Sequence, residues 1–181
     1  APARGLFGDG RGRGGGLAAR VFQGAAVREM QSGPEIRLAK PEEYRTVAVL
    51  WHTSASQQGV GPPVMPSEEE LFIRVETQAA TDWHLLIAVE HLQIVGLLAL
   101  KLAERVLDQL FVCPTRVGTG LGQMLFDRAK KEMPSGFSLH TASTNLRARR
   151  FYERQGMVFG GEASHPRTGH SVVYYHFRSG L

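Results

Sequence analysis

Two apolar runs, WHLLIAVE over residues 83–90 and QIVGLLALKLA over residues 93–103, face each other across a tight turn near the middle of the chain. Both are rich in branched residues and bounded by polar ones, which predicts an antiparallel hairpin. A third run, RVLDQLFV over residues 105–112, ends before Pro114 and extends the hairpin into a meander.

The flanking segments change period from two to 3.6. EIRLA at 35–39 reads as a short strand. In PEEYRTVAVLWHTSA at 41–55, Tyr44, Val47, Ala48 and Trp51 recur on one helical face behind a proline and two acids, as helix starts prefer. Ser67 and Glu70 form a capping box ahead of Leu71, Phe72, Val75 and Ala79, which predicts a second helix. LGQMLFDRAKKE at 121–132 and NLRARRFYERQG at 145–156 are further helices, the first stopped at Pro134 and the second at Gly156. GFSLHTAS, MVFGG and SVVYYHFR supply three more strands. The order predicts a mixed α/β domain over residues 34–181, with a single mixed, mainly antiparallel central sheet flanked by helices.

Charge and composition narrow the functions open to such a domain. The net charge is +4, but residues 1–33 carry five arginines against Asp9 and Glu29, so the remainder holds only +1. A nucleic-acid-binding face is therefore not expected on the folded part. No apolar run approaches the ~20 residues of a membrane helix. Cys113 is the single cysteine, which excludes an internal disulfide framework, suits a cytoplasmic location and leaves no multi-cysteine zinc site. The first 33 residues hold nine glycines with no sustained apolar period and read as a disordered tail. RGRGGG within it resembles one short RNA-binding repeat, its Arg and Ala content resembles a transit peptide, and Met30 is a candidate natural start.

FVCPTRVGTGLGQML, residues 111–125, sets Gly118, Gly120 and Gly122 at alternate positions where a strand hands over to a helix. The first amides of a helix lack partners within it and carry the positive end of its dipole, so an anion settles there. Glycine lets the chain turn sharply and lets a bulky ligand approach the backbone. A phosphate cradle or a plain loop both satisfy this pattern. A P-loop needs Lys and then Ser or Thr where Gln123 and Met124 stand, and the dinucleotide fingerprint needs glycine at position 123.

The second motif decides between them. VCPTRVGTGLGQML, followed by LHTASTNLRARRFYERQGMVFGG, resembles the GNAT superfamily of acyl-CoA-dependent N-acyltransferases. Its pyrophosphate loop has the form Q/R-x-x-G-x-G/A, and Asn145, Ala148, Phe151, Tyr152, Glu153 and Gly156 fit the strand and helix that follow. Val117 stands where the family usually has Gln or Arg, with Arg116 one residue early. The loop works through backbone amides, so Val117 can still contribute.

The resemblance implies an N-acetyltransferase that moves an acetyl group from acetyl-CoA (coenzyme A) to a primary amine, by direct attack in a ternary complex. It implies that Val117, Gly118, Thr119, Gly120, Leu121 and Gly122 cradle the pyrophosphate. The exposed edge of Leu110, Phe111 and Val112 would pair with the pantetheine arm. Tyr152 matches the tyrosine facing the cofactor sulfur and is a candidate acid; a half-buried aromatic is the other reading. Asn145 can bind the arm, cap its helix, or do both. Arg147, Arg149 and Arg150 read as a solvated face, one of them able to meet the 3′-phosphate. Val106 occupies the position where histone-type members of the family place a glutamate base, leaving Glu104 and Asp108 beside it as candidate bases, as ligands for a cationic substrate, or as surface residues.

His52, His84, His165 and His170 fall in regions that line the acceptor pocket in family members, though a lone histidine is more often structural. They form no tight metal-ligand cluster, and Cys113, at a strand end before proline, reads as packed rather than nucleophilic. The acceptor is a small-molecule or peptidyl primary amine, with a homodimer compatible and neither nucleic acid nor membrane expected. A non-catalytic acyl-CoA-binding module is the alternative.

Overall fold

The computed structural model describes residues 33–178, so the expectations for the N-terminal tail and for Met30 lie outside the described residues. In chain order the elements are β1 (Glu35–Leu38), α1 (Tyr44–Ala55), α2 (Glu68–Thr81), β2 (His84–Glu90), β3 (Gln93–Lys101), β4 (Val106–Val112), α3 (Leu121–Glu132), β5 (Phe137–Ala142), α4 (Leu146–Arg154), β6 (Val158–Ser164) and β7 (Ser171–Phe177). Single 3₁₀ turns at Pro41–Glu43 and Pro114–Arg116 lead towards α1 and α3. The seven strands form one sheet in the order β1-β2-β3-β4-β5-β7-β6. Every neighbouring pair is antiparallel except β4 and β5. This is the mixed, mainly antiparallel sheet with flanking helices that the sequence predicts.

The central strands are apolar at nearly every position because each feeds two cores. Leu86 and Ala88 of β2, with Leu98 and Leu100 of β3, pack on one face against Leu121, Leu125, Phe126 and Ala129 of α3. Leu85, Ile87, Leu97 and Ala99 point the other way, towards Val47, Ala48 and Trp51 of α1 and Leu71 and Val75 of α2. A strand covered on both faces has no reason to alternate. Phe126 anchors the α3 side, its ring within 6.3 Å of those of Phe137, Phe151, Tyr152 and Phe177.

Local signals set most element ends. Ser67 Oγ accepts from the Glu70 amide at 3.2 Å, and the Glu70 carboxylate accepts from the Ser67 amide at 2.7 Å, closing the predicted box at the start of α2. The β2–β3 hairpin turns through His91 and Leu92, both at positive φ (48° and 64°) between the paired Glu90 and Gln93. That backbone suits the right-handed twist of the strands it joins, although neither residue is a glycine.

Two boundaries depart from expectation. The third strand of the meander begins at Val106, because residues 102–105 form a turn that ends with Arg105 at φ 56°. The sixth strand runs on to Ser164, as its pairing with β7 continues past a register shift between Phe159 and Gly161.

Candidate active site

The sheet opens at its one parallel junction. β4 and β5 pair only at Val106↔Ser138, and beyond that point the strands part. The divergence begins next to a bulge: Ala99 of β3 faces Gln109 and Leu100 faces Leu107, so Asp108 is an extra residue on β4. An extra residue bends its strand and re-aims its side chain. The cleft that results is about 1300 Å³ and is lined from both sides, by residues 107–112 of β4 and by His140, Thr141 and Ala142 of β5.

One end of the cleft is made of backbone. Gly118 and Gly120, at φ 82° and 88°, swing the chain into α3, and an added Cβ at either position would meet nothing within 4 Å among the described residues beyond its own chain neighbours. Their glycine is required by conformation and leaves open space above the loop. The amides of Gly118, Gly120, Leu121, Gly122 and Gln123 donate to no carbonyl among the described residues. This is a row of free donors at the positive end of a 12-residue helix.

Gly118, Gly120 and Gly122 line the cleft with Val117, Leu110, Phe111 and Val112. Leu121 is buried in the α3 core, and Thr119 turns its hydroxyl back to the Arg116 carbonyl at 2.7 Å. Arg116 is paired with Glu90 at the end of β2.

Tyr152 and Asn145 reach the cleft from α4. Asn145 Oδ1 caps α4 by accepting from the Ala148 amide at 3.1 Å, while its residue also lines the cleft. Tyr152 is 7% exposed, ringed by Phe126, Phe151 and Tyr175. Burial pushes its phenol above the ordinary value, so it stays protonated at neutral pH. Gln123 and Gln155 join α3 to α4 beside the loop through paired side-chain amides at 2.7 and 2.5 Å.

The other end is made of side chains. Asp108 accepts from Trp83 Nε1 at 3.0 Å and lies 4.0 Å from Arg74 of α2. Opposite it, His140 of β5 and His165 and His170 of the β6–β7 loop line the same space. Their rings adjoin, His140 to His165 at 5.3 Å and His165 to His170 at 5.2 Å and nearly parallel. Burial lowers His140, an effect partly offset by Asp108, and burial also lowers His165. His165 Nδ1 accepts from the Arg167 and Thr168 amides at 3.3 Å each, which leaves the proton of the neutral ring on Nε2. The loop over residues 56–66 helps close this end and reaches across to the turn after β5, where Thr144 donates to the Gly59 carbonyl at 3.2 Å.

The family model for acetyltransferases of the GNAT family matches residues 47–157, from α1 to the end of α4. The chain belongs to that family. An acetyltransferase from Thermus thermophilus matches its fold with a TM-score of 0.68 at 18% identity, over 81% of this chain and 97% of that one. YjaB from Escherichia coli, in its apo form, matches with a TM-score of 0.64 at 21% identity, over 80% and 97%. YncA from Salmonella typhimurium, solved with its cofactor acetyl-CoA, matches with a TM-score of 0.63 at 13% identity, over 83% and 96%. At these identities the likeness concerns the GNAT fold. No curated protein matches the sequence significantly.

Within this GNAT chain the cleft gathers some of the residues singled out by sequence and leaves others outside. Asp108, Tyr152, Asn145, His165 and His170 line it. Glu104 does not: it is exposed in the β3–β4 turn, beside a separate shallow depression at Arg105, Gly136 and Phe177. The strand expected to carry it starts two residues later. His84 faces Glu132 of α3 at 3.7 Å, across the sheet from the acceptor end, and His52 lies 3.8 Å from Glu68 outside the cleft. Arg149 donates to the Ser143 carbonyl at 3.2 Å and to Tyr175 Oη at 3.5 Å.

Sequence reasoning passed over His140 and Arg74. The alternation of β5, with Phe137 and Leu139 in the α3 core, puts His140 on the opposite face, but that this face is open follows only from the divergence of β4 and β5. Among the described residues no His, Cys, Asp and Glu group has the arrangement of a metal site, and no helix is long and apolar enough to cross a membrane.

Proposed function

We propose that this chain binds acetyl-CoA between β4 and β5 and transfers the acetyl group to a primary amine by direct attack in a ternary complex. The observation that carries this reading is the row of undonated amides at the start of α3, opening onto a cleft where β4 has lost its neighbour. The donors suit a pyrophosphate, and the space above Gly118 and Gly120 is what such a group needs.

The free amides of Gly118, Gly120, Leu121 and Gly122 hold the phosphates, while those of Val117 and Thr119 donate to the Pro114 and Arg116 carbonyls within the loop. The β4 edge at Leu110, Phe111 and Val112, where the Val112 carbonyl accepts from Ser54 Oγ at 3.1 Å, holds the pantetheine arm as an added strand. Asn145 joins them with its free amide group while its oxygen caps α4. When bound, acetyl-CoA supplies the acetyl group as an activated thioester.

Tyr152 keeps its proton because burial disfavours the phenolate, and it acts on the leaving sulfur by donating its Oη–H hydrogen bond to the developing thiolate. Asp108, at the bulge and held by Trp83, takes the proton of the incoming amine directly or through water. Trp51, Phe111 and the loop over residues 56–66 wall the acceptor end of the cleft. Residues 34–181 make up this catalytic domain, preceded by the glycine-rich tail, and a cytoplasmic location fits the single cysteine.

The test is thiol release from acetyl-CoA across small and peptidic primary amines with a no-amine blank. Amine-dependent release is the expected result. Acetyl-CoA binding without release for any amine would favour a non-catalytic acyl-CoA-binding module, and absent binding would overturn the assignment of the glycine loop.

A further inference from the structure

The acceptor end of the cleft carries more positive charge than an amine-binding site needs. Among the described Arg, Lys, Asp and Glu residues lining the whole cleft, six are basic and only Glu70 and Asp108 are acidic. The Glu70 carboxylate is occupied by the Ser67 amide at 2.7 Å and the Ser67 hydroxyl at 3.0 Å. Arg147 and Arg154 belong to α4, the helix that carries Tyr152, Arg116 is paired with Glu90, and Lys101 stands at the end of β3 opposite Val106. Arg74 and Arg167 remain, lining the cleft with Asp108, which lies 4.0 Å from Arg74.

Arg74 is held as a binding group rather than as a surface charge. Its guanidinium lies over the Trp51 ring, 4.9 Å from the centroid, which fixes the plane of its donor fork. The approach to Asp108, at 4.0 Å, is too long for a hydrogen bond, and its N–H groups donate to no described residue. Arg74 and Arg167 line the same cleft. Burial lowers the Arg74 pKa and the charge of Arg167 lowers it further, partly offset by Asp108. Arg167 is brought there by the tight loop at residues 165–170, pinned through His165 Nδ1 and by the bond from the Gly169 amide to the His165 carbonyl. A half-buried guanidinium and an exposed one lining the same cleft are both stabilised by an anion placed between them, and a carboxylate or phosphate matches their fork geometry.

We propose that the acceptor is an amine that also bears an anionic group, a carboxylate or a phosphate, bound by Arg74 and Arg167 while Asp108 faces the amine. The inference rests on the acetyltransferase reading above and narrows its substrate class. A polyamine, whose far end is cationic, would bring a third positive charge to the same place.

The experiment uses the full chain and matched acceptors: an α-amino acid, its carboxamide, its decarboxylated amine, an aminoalkylphosphonate of the same chain length, and spermidine. Acetyl-CoA affinity is measured alongside by calorimetry. The expected result is a kcat/KM for the amino acid or the phosphonate at least about tenfold above that for the carboxamide and for spermidine, one charge-assisted contact's worth of discrimination. Preference for the phosphonate over the amino acid identifies phosphate as the anion.

Arg74→Gln should bring the acid-to-amide ratio towards one, and Arg167→Gln, at an exposed position where the fold tolerates change, should lower it in the same direction. Equal turnover of acid and amide, preference for spermidine, or acetyl-CoA binding with no anionic acceptor turned over would each overturn the proposed substrate class while leaving the cofactor reading intact. Absent acetyl-CoA binding would overturn the reading on which it rests.

Discussion

The two ends of the cleft are built from different materials. The end at α3 is backbone: two left-handed glycines, a helix start and a strand edge, all within residues 110–123. The acceptor end is side chain, collected from α2, β4, β5 and the β6–β7 loop, with Arg74, Asp108, His140 and Arg167 far apart in sequence. A backbone site takes any ligand of the right charge and shape and depends on few residue identities. A side-chain site specifies its ligand and can change without disturbing the fold.

The largest effect is expected where the two ends meet. Tyr152→Phe should lower kcat by about 10²–10⁴-fold, the range for losing a positioned acid, with acetyl-CoA affinity unchanged. Near-normal turnover would return Tyr152 to the aromatic core that surrounds it.

Gly120→Val breaks the backbone end. Valine at φ 88° costs the fold about 1–3 kcal/mol, and its side chain enters space that is open among the described residues beyond its chain neighbours. Acetyl-CoA affinity should fall about 100-fold, as read by calorimetry, while the melting curve remains cooperative.

Asp108→Asn tests the acceptor end. Asparagine still accepts from Trp83 but cannot take a proton, so kcat should fall at least about tenfold with acetyl-CoA affinity preserved.

The histidines give a smaller, pH-dependent signal. His140 and His165 are lowered by burial from 6.5, so the fold disfavours their charged forms. Their contribution to stability is present above 6.5 and is lost as pH falls through the lowered folded-state values. Thermal melts should therefore decline on the acid side, less steeply in His140→Gln, and ring titrations by NMR should fall below 6.5. The smallest effect belongs to Glu104→Gln. With Glu104 exposed in the β3–β4 turn, kcat/KM should stay within about twofold of the parent protein.

What could be read from the sequence follows the same division. The hairpin, the capping box at Ser67 and Glu70, and the helix at 121–132 rest on local pattern, and they form as expected. The glycine loop was legible because its residues are consecutive. Glu104 and Asp108 looked equivalent at a spacing of four, and only the turn at residues 102–105 and the bulge at Asp108 separate them. His84 looked like a pocket residue until the register put Leu86 and Ala88, and His84 with them, on the α3 face. Arg74 reads in sequence as one more charge on an amphipathic helix. Its stacking on Trp51 and its distance from Asp108 depend on how α1, α2 and β4 pack, which local patterning does not encode.

The most direct measurement is an acetyl-CoA titration followed by backbone amide NMR. The division of the cleft predicts the largest shifts at the amides of Val117 to Gln123 and along Leu110 to Val112, with little change at His165 to His170. Shifts centred on the histidine loop, or none at the glycine loop, would contradict it.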